Sequence, residues 1–146
     1  MAKVVSINIS SEKGIPKDPI DKGEFLIDFG LKEDSHGGDW HRQVSLLAQE
    51  SIEKIKDMGV KDLSPGRFAE NITTEGICLY ELPVGTQLKI GDTIQEVTQI
   101  GKECHTRCAI FHTVGDCVMP KEGIFTKVIK GGTVKAGDSI EVMSNK

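Results

Sequence analysis

Short runs of β-branched and apolar residues alternate with glycine turn signals along most of this chain, and this pattern constrains the fold most. The runs include Lys3 to Ile9, Glu24 to Phe29 and Thr93 to Ile100. Runs of this length between turn signals are typical of small β architectures. The 16 glycines and the low aromatic content, 5%, also favour many tight turns. We therefore expect a mostly β protein, a barrel of about six or seven short strands with a helix packed on it.

One phrase occurs twice and marks two of the expected turns. Residues 89–94 read KIGDTI, and residues 135–140 read KAGDSI. The first copy lies between two strand-like runs, Gln87 to Ile90 and Thr93 to Ile100, which predicts a hairpin around Gly91 and Asp92. The second copy predicts a similar turn before a last strand, Ser139 to Met143. Two copies are too few for a solenoid.

Helical periodicity is clear in one place, residues 48–58. Apolar residues recur there at three- to four-residue spacing, and Gly59 suits the position after a helix. We also expect one or two short helical turns, one after Ser64 and Pro65 and one from Gly123 to Gly132. Ser10 to Gly23 is rich in proline and glycine and predicts a loop.

Length and charge limit the classes of function. The 146 residues predict one domain, 1–146. The net charge of -4 provides no basic field for a nucleic acid partner. The chain has no apolar run of about 20 residues and no apolar signal segment after Met1, so we expect no membrane partner and a cytoplasmic location with reduced thiols.

The segment from Gly101 to Cys108 carries the strongest chemical signal. It places two thiols, Cys104 and Cys108, beside Lys102, Arg107 and His105. A thiolate is the nucleophilic and metal-binding form of cysteine, and nearby cations favour it. Thiolates also suit molybdenum or a transferable sulfur atom.

Other interpretations of these cysteines stay open. Free cysteines are often small buried hydrophobes, although charged neighbours are unusual at such positions. A zinc site using His112 and Cys117 lacks the short pair spacing of structural zinc sites, and a redox disulfide favours C-x-x-C. Cys78 and Cys117 lack the flanking cations and histidine of that pair and are interpreted as structural.

A second candidate segment runs from Gly30 to Arg42. It is dense in glycine and ionisable groups, and functional residues favour such loops. Arg42 offers a fork of donors for an oxyanion, and His36 can donate, accept or ligate. The alternative is that these charges pair with Asp34 or Asp39 and only hold the loop. In a third segment, Glu70 and Asn71 follow a probable turn, where an asparagine often only caps backbone.

These segments, in this order, resemble the MOSC family, named after the C-terminal domain of molybdenum cofactor sulfurase. The matching phrases are residues 30–36 (GLKEDSH), 42–47 (RQVSLL), 66–73 (GRFAENIT), 84–91 (VGTQLKIG), the Cys104 segment, and 122–125 (EGIF) with Gly137 and Asp138. No single phrase is diagnostic, but the ordered set covers nearly the whole chain.

The resemblance implies a β-barrel and the molybdenum cofactor, molybdopterin with its metal. It implies a cysteine that carries sulfur or binds molybdenum, which falls on Cys104 or Cys108. It implies cofactor-binding residues at His36, Arg42 and Asn71, to which the cations Lys102 and Arg107 are added. It also implies no pyridoxal phosphate in this chain, so a cysteine desulfurase or a molybdoenzyme is the expected partner.

Three functions follow from these expectations. The first is a molybdenum-cofactor-binding or sulfur-carrier protein of cofactor biosynthesis, a sulfurtransferase acting with a desulfurase that uses pyridoxal phosphate. The second is a molybdenum-dependent reductase of N-hydroxylated compounds that needs an external electron donor. The third is a non-enzymatic anion-binding β-barrel module, in which replacing either cysteine leaves ligand binding unchanged.

Overall fold

The computed structural model describes residues 2–9, 18–34, 38, 43–57, 70–100 and 123–145. This part of the chain is mostly strand, with one α-helix and one short 3-10 turn at Leu79–Glu81. The elements are β1 (Lys3–Ile9), β2 (Asp18–Ile20), β3 (Lys22–Leu26), β4 (Gly30–Leu31), β5 (Val44–Ala48), α1 (Gln49–Asp57), β6 (Ile72–Glu75), β7 (Thr86–Ile90), β8 (Thr93–Ile100), β9 (Ile124–Lys130), β10 (Gly132–Lys135) and β11 (Ile140–Asn145). The expected mostly β fold with a helix near residues 48–58 is confirmed.

The strands form one large sheet and one small sheet. The large sheet has eight strands in the order β11-β7-β8-β9-β5-β6-β1-β2, and the small sheet has the order β10-β3-β4. In the large sheet β5 and β6 are parallel, with Leu46 opposite Ile72, and the other pairs are antiparallel. Helix α1 follows β5 directly and begins the crossover connection that a parallel pair requires.

The expected barrel is corrected to a curled, open arrangement, because the sheets of the described residues do not close. The start of β1 does approach the chain just before β11. Lys3 and Ser139 form an isolated antiparallel bridge, and the amide of Gly137 donates to the carbonyl of Val4 at 2.7 Å. β2 pairs with the far half of β1, so this contact joins only one end of the strand. The large sheet therefore bends back on itself without a continuous ladder.

An apolar core lies between the sheets. Its largest buried side chains come from β1, β3, β4, β5, β6, β7, β9 and the 3-10 turn, and α1 adds the fully buried Ile52. The other fully buried large side chains are Phe25, Ile7, Leu31, Leu46, Leu47, Ile72, Leu79, Leu88, Ile90 and Ile124. β5 is buried along its whole length because it has strands on both sides and the helix after it. Across the described ranges, no helix is long and apolar enough to cross a membrane.

Two sequence predictions about elements were wrong. Ser10 to Gly23 was expected to be a loop; residues 10–17 lie outside the described part of the chain, and in the remainder β2 begins at Asp18 and β3 at Lys22. Pro19 is tolerated there because β2 is an edge strand. The segment from Gly123 to Gly132 was expected to be a helix, but Ile124–Lys130 is β9. Its β-branched residues fit a strand paired on both sides, and tertiary pairing overrides the helical spacing.

The repeated phrase does mark two turns, and the turns contact each other. Gly91 joins β7 to β8, and its amide donates to the carbonyl of Ser139 at 3.2 Å. In the second copy, a carboxylate oxygen of Asp138 accepts from the amide of Lys135 at 2.8 Å. The first turn closes a hairpin, whereas the second carries the chain from the small sheet to the large one.

Candidate functional site

The predicted site residues fall mostly outside the described part of the chain. These residues are Cys104, Cys108, Lys102, Arg107, His36 and Arg42, and their proposed roles stay predictions. Asn71 is described, and so are the strand ends from which the other segments depart. The structure therefore describes the strands that support the candidate site, and not most of the side chains predicted to line it.

Two of the three segments are attached at the same edge of the large sheet. Because β5 and β6 are parallel, both begin at the same end of the sheet, and Ile72, the first residue of β6, lies opposite Leu46, the third residue of β5. The segment containing His36 and Arg42 leads into β5, and the segment before Glu70 leads into β6. The end of β1 lies at this edge too, since Ile7 faces Ile72. We call this edge, defined by Gln43, Asn71 and Ile9, the clamp edge.

The Cys104 segment is attached on the other side. β9 runs antiparallel to β5, with Ile124 opposite Leu46 and Thr126 opposite Val44. Ile100 faces Ile124, so the segment 101–122 leaves and returns away from the clamp edge. A strand residue advances about 3.3 Å, so β5 spans only about 13–17 Å. A segment of the length of 101–122 has ample reach across that distance.

Asn71 and Ser45 hold the clamp edge together. Asn71 is fully buried. Its amide oxygen accepts from the backbone N–H of Ser45 at 3.0 Å and from the Ser45 hydroxyl at 3.3 Å. The backbone N–H of Asn71 donates to the Ser45 carbonyl at 2.8 Å and to Oγ at 3.0 Å. The Asn71 side chain therefore adds a rung to the β5–β6 ladder where the parallel pairing begins.

Asn71 also reaches β1 on its other side. The backbone N–H of Asn8 donates to the Asn71 carbonyl at 2.7 Å, and Nδ2 of Asn71 donates to the Asn8 carbonyl at 3.4 Å. One asparagine thus connects three neighbouring strands. This is a stronger role than the backbone cap that the sequence predicted for it, and the contacts lie within the protein.

A chain of buried hydrogen bonds continues from Asn8 to a carboxylate. The Ser6 hydroxyl donates to Oδ1 of Asn8 at 2.7 Å. Nδ2 of Asn8 donates to Oγ1 of Thr73 at 3.0 Å and to the Glu70 carbonyl at 3.1 Å. The Thr73 hydroxyl then donates to Oε2 of Glu70 at 2.7 Å. Glu70 is fully buried, so this chain fixes the orientation of a carboxylate at the clamp edge.

Sequence reasoning missed most of this cluster. Ser6, Asn8, Ser45 and Thr73 were not singled out, although all four are buried. The sequence did offer one signal, a polar residue at a strand position that faces the protein interior. A buried polar side chain requires a hydrogen-bond partner. Asp34, from the second segment, is also buried and engaged in interactions.

The described residues hold no group of three or more histidine, cysteine or acidic side chains that could bind a metal ion. Cys78 is a free and exposed cysteine before the 3-10 turn, so its thiol does not pack in the core as a structural cysteine would. Cys117 lies outside the described residues.

These features define a class of small, mostly β proteins with a mixed sheet, one crossover helix and a polar cluster where the parallel strands begin. A family model described as the MOSC domain matches residues 32–141. The match spans more than half of the chain, and the chain belongs to the MOSC domain family. This family is associated with binding of the molybdenum cofactor.

Solved structures share the fold. The YuaD protein from Bacillus subtilis has a TM-score of 0.82 and 21% identity, and the match covers 99% of this chain and 97% of that one. YiiM from Geobacillus stearothermophilus has a TM-score of 0.74 and 18% identity, with 99% and 76% covered. YiiM from Escherichia coli has a TM-score of 0.68 and 18% identity, with 100% and 71% covered. Among curated proteins, no sequence matches this chain.

The donor chemistry of Asn71 at the clamp edge is compatible with an anionic cofactor. An asparagine Nδ2 carries two N–H groups, and the described bonds of Asn71 use one of them, on the Asn8 carbonyl. Arg42 and His36, in the segment that leads into β5, add donors suited to phosphate. Cys104 and Cys108, whose segment is attached away from the clamp edge, would add thiols, the soft ligands that molybdenum prefers. Of this expected donor set the structure describes Asn71 alone, and its chemistry is compatible with a molybdopterin ligand.

Proposed function

We propose that this protein binds the molybdenum cofactor at the clamp edge and carries sulfur for it on Cys104 or Cys108. The observation that supports this most is the hydrogen bonding of Asn71 to Ser45, which ties together the starts of β5 and β6. Family membership supplies the cofactor class. The bonds between Asn71 and Ser45 at the clamp edge give a reason why the segment that contains His36 and Arg42 and the segment before Glu70 would act at one place.

Arg42 is proposed to bind the phosphate of the cofactor. It lies three positions before Ser45, whose backbone and hydroxyl are both fixed by Asn71. A side chain that binds an anion with a planar fork gains from such a fixed attachment, because less freedom is lost on binding. His36, further back in the same segment, is proposed to add a second donor.

Asn71 is proposed to act mainly by position. Its amide oxygen already accepts two hydrogen bonds from Ser45, so a ligand would be bound through the second N–H of Nδ2, as a donor. Glu70 beside it has a carboxylate oriented by Thr73. Lys102 and Arg107 are proposed to favour the thiolate form of the cysteines.

The bound cofactor would supply a molybdenum centre able to accept a sulfur ligand. The protein's own step is thiol chemistry on the reactive cysteine. Its thiolate attacks the terminal sulfur of a persulfide on a partner, a new S–S bond forms on this chain, and the partner's thiolate leaves. No net oxidation or reduction is required. The proposed partner is a cysteine desulfurase that uses pyridoxal phosphate.

The experiment incubates the purified protein with a cysteine desulfurase and free cysteine, and then maps persulfides by mass spectrometry. The set comprises wild type, Cys104→Ser, Cys108→Ser and, as the matched control, Cys78→Ser. Cys78 is exposed and free, so it reports non-specific sulfur transfer to an accessible thiol.

The proposal predicts a persulfide on one of Cys104 and Cys108, lost in that serine variant and retained in Cys78→Ser. Equal labelling of Cys78 would show that the transfer follows exposure alone. Absence of any persulfide on Cys104 and Cys108 would contradict the sulfur-carrier role. Cofactor binding that is unchanged in both serine variants would instead favour an anion-binding module.

A further inference from the structure

Asn8, near the end of β1, holds the backbone on both sides of Asn71. Asn8 is fully buried. Its Nδ2 donates to the Glu70 carbonyl at 3.1 Å, and that carbonyl belongs to the peptide group that links Glu70 to Asn71. Its backbone N–H donates at 2.7 Å to the Asn71 carbonyl, which belongs to the next peptide group. Asn8 therefore binds the two peptide groups that flank the Cα of Asn71.

A β-bulge in β1 brings the Asn8 side chain to this face of the large sheet. Val4 and Ile7 both lie in the apolar core although they are three residues apart. A register shift between Val4 and Ser6 accounts for this, because it adds one residue to β1 relative to β6. Strand side chains alternate between the two faces, so without the bulge Asn8 would share the face of Val4 and point into the apolar core. Bulges often re-aim a side chain beside a functional site.

The partners of the Asn8 carboxamide fix its orientation. Nδ2 faces the Glu70 carbonyl, which can only accept, and Oδ1 accepts from the Ser6 hydroxyl at 2.7 Å. The second N–H of Nδ2 is donated to Oγ1 of Thr73 at 3.0 Å. The single hydroxyl proton of Thr73 is then directed to Oε2 of Glu70 at 2.7 Å. Both N–H groups and the oxygen of this carboxamide have partners, which leaves it one orientation.

The Asn71 carboxamide is held firmly through its oxygen and weakly through its nitrogen. Its oxygen accepts from the backbone N–H of Ser45 at 3.0 Å. Its Nδ2 lies 3.4 Å from the Asn8 carbonyl, which is long for an N–H···O bond. An acceptor atom of a ligand can therefore bind Nδ2 while the bonds to Ser45 stay in place. The direction of those N–H groups depends on the Asn71 backbone, which Asn8 holds.

We propose that Asn8 is a positioning residue for the ligand contact of Asn71, an inference that rests on the proposed function. Because it binds the peptide groups on both sides of Asn71, it sets the direction in which Nδ2 presents an N–H group to an acceptor atom of the cofactor. Preorganisation of this kind increases affinity, because a loosely held contact residue loses more freedom on binding. Asn8 acts through Asn71 and needs no contact with the ligand itself.

The test compares variants that remove these contacts with variants that keep them. Asn8→Ala removes the carboxamide and retains the backbone N–H. Thr73→Val removes one partner of Nδ2 at similar size, whereas Thr73→Ser keeps the hydroxyl. Thr126→Val is the matched control, since it is the same substitution at a buried threonine of β9 whose hydroxyl donates to Gln95. The probe is molybdopterin cofactor released from a molybdoenzyme, titrated under anaerobic conditions at a temperature at which the variants are folded.

We expect Asn8→Ala to weaken binding of the cofactor about tenfold or more, and Thr73→Val about threefold or more. Thr73→Ser and Thr126→Val should stay within about twofold of wild type, although Thr126→Val lowers stability. The NMR signals of the Asn71 side-chain amide, assigned by their loss in Asn71→Ala, give a readout that reports on this contact alone. The cofactor should shift these signals in wild type, and Asn8→Ala should displace them in the free protein.

Three outcomes would overturn the inference. One is wild-type affinity in Asn8→Ala, or in Thr73→Val should the alanine variant fail to fold. Another is a loss of affinity in Thr126→Val or Thr73→Ser equal to that in Thr73→Val, which would mean that the Thr73 hydroxyl has no specific role. A third is cofactor binding by wild type that leaves the Asn71 side-chain signals unmoved, in which case the proposed function would stand without this contact. A wild-type protein that does not bind the cofactor would overturn the proposed function itself and the inference with it.

Discussion

Asn71 and Ser45 are joined by four hydrogen bonds that combine backbone and side chain in both directions. Such a reciprocal pair completes the parallel β5–β6 ladder at its first position. Backbone groups at the beginning of a parallel pair would otherwise be buried without partners, at a cost of about 1–3 kcal/mol each. The pair therefore stabilises the framework on which the candidate site depends.

The first prediction concerns this pair. Asn71→Ala removes the acceptor for the backbone N–H of Ser45 and should lower the free energy of unfolding by about 2–3 kcal/mol. Ser45→Ala should be less harmful, and the double variant should be less destabilised than the sum of the two. Urea denaturation measures all three. Glu53→Ala, at an exposed position of α1, should change stability by no more than about 0.5 kcal/mol. If the stability losses of Asn71→Ala and Ser45→Ala were strictly additive, the two side chains would not act as a coupled pair.

The second prediction uses two buried threonines that differ in their partners. Oγ1 of Thr126 donates to Oε1 of Gln95 at 2.6 Å, so Thr126→Val leaves a buried acceptor unsatisfied and should cost about 1–3 kcal/mol. Oγ1 of Thr74 is buried and has no partner among the described residues. Thr74→Val should therefore be neutral or stabilising by up to about 1 kcal/mol. Thermal unfolding of the two valine variants gives the comparison, and an equal loss in both would refute it.

The third prediction separates backbone strain from steric contact at two glycines. Gly30 and Gly137 have similar positive φ values, 105° and 94°. A Cβ at Gly30 would overlap the carbonyl of Gln43, whereas one at Gly137 would meet nothing within 4 Å. Gly137→Ala should cost about 1–2 kcal/mol from its conformation alone, and Gly30→Ala substantially more. Denaturation midpoints measure the difference, and a Gly137→Ala loss as large as that of Gly30→Ala would contradict the close packing.

The elements that the sequence predicted well are those with strong local signals. The hairpin of β7 and β8 was predicted from Gly91 and Asp92, and α1 from its apolar spacing and Gly59. β5 was missed because it is buried on all sides and so has no alternating pattern. β9 was mistaken for a helix because a short apolar run fits both periods, and the partners that decide between them are distant in sequence.

In the candidate site, too, the features with local sequence signals were predicted and those that depend on distant strands were not. Asn71 was predicted as a pocket residue only through the family resemblance, since an asparagine near a turn most often caps backbone. Its partner Ser45 and the chain through Asn8 and Thr73 depend on strands that lie far apart in the sequence. Such long-range hydrogen bonds follow from strand register, which the sequence pattern does not specify for buried strands.

All the proposed roles depend on binding of the molybdenum cofactor at the clamp edge. The most direct measurement is the Kd of anaerobically released molybdopterin cofactor for wild type, Arg42→Ala and Glu53→Ala. We expect saturable binding by wild type, unchanged binding by Glu53→Ala, and binding weakened by at least about tenfold in Arg42→Ala, since a charge-assisted phosphate contact contributes about 1.5–3 kcal/mol. Equal binding by wild type and Arg42→Ala, or no binding by any of the three proteins, would contradict cofactor binding at the clamp edge.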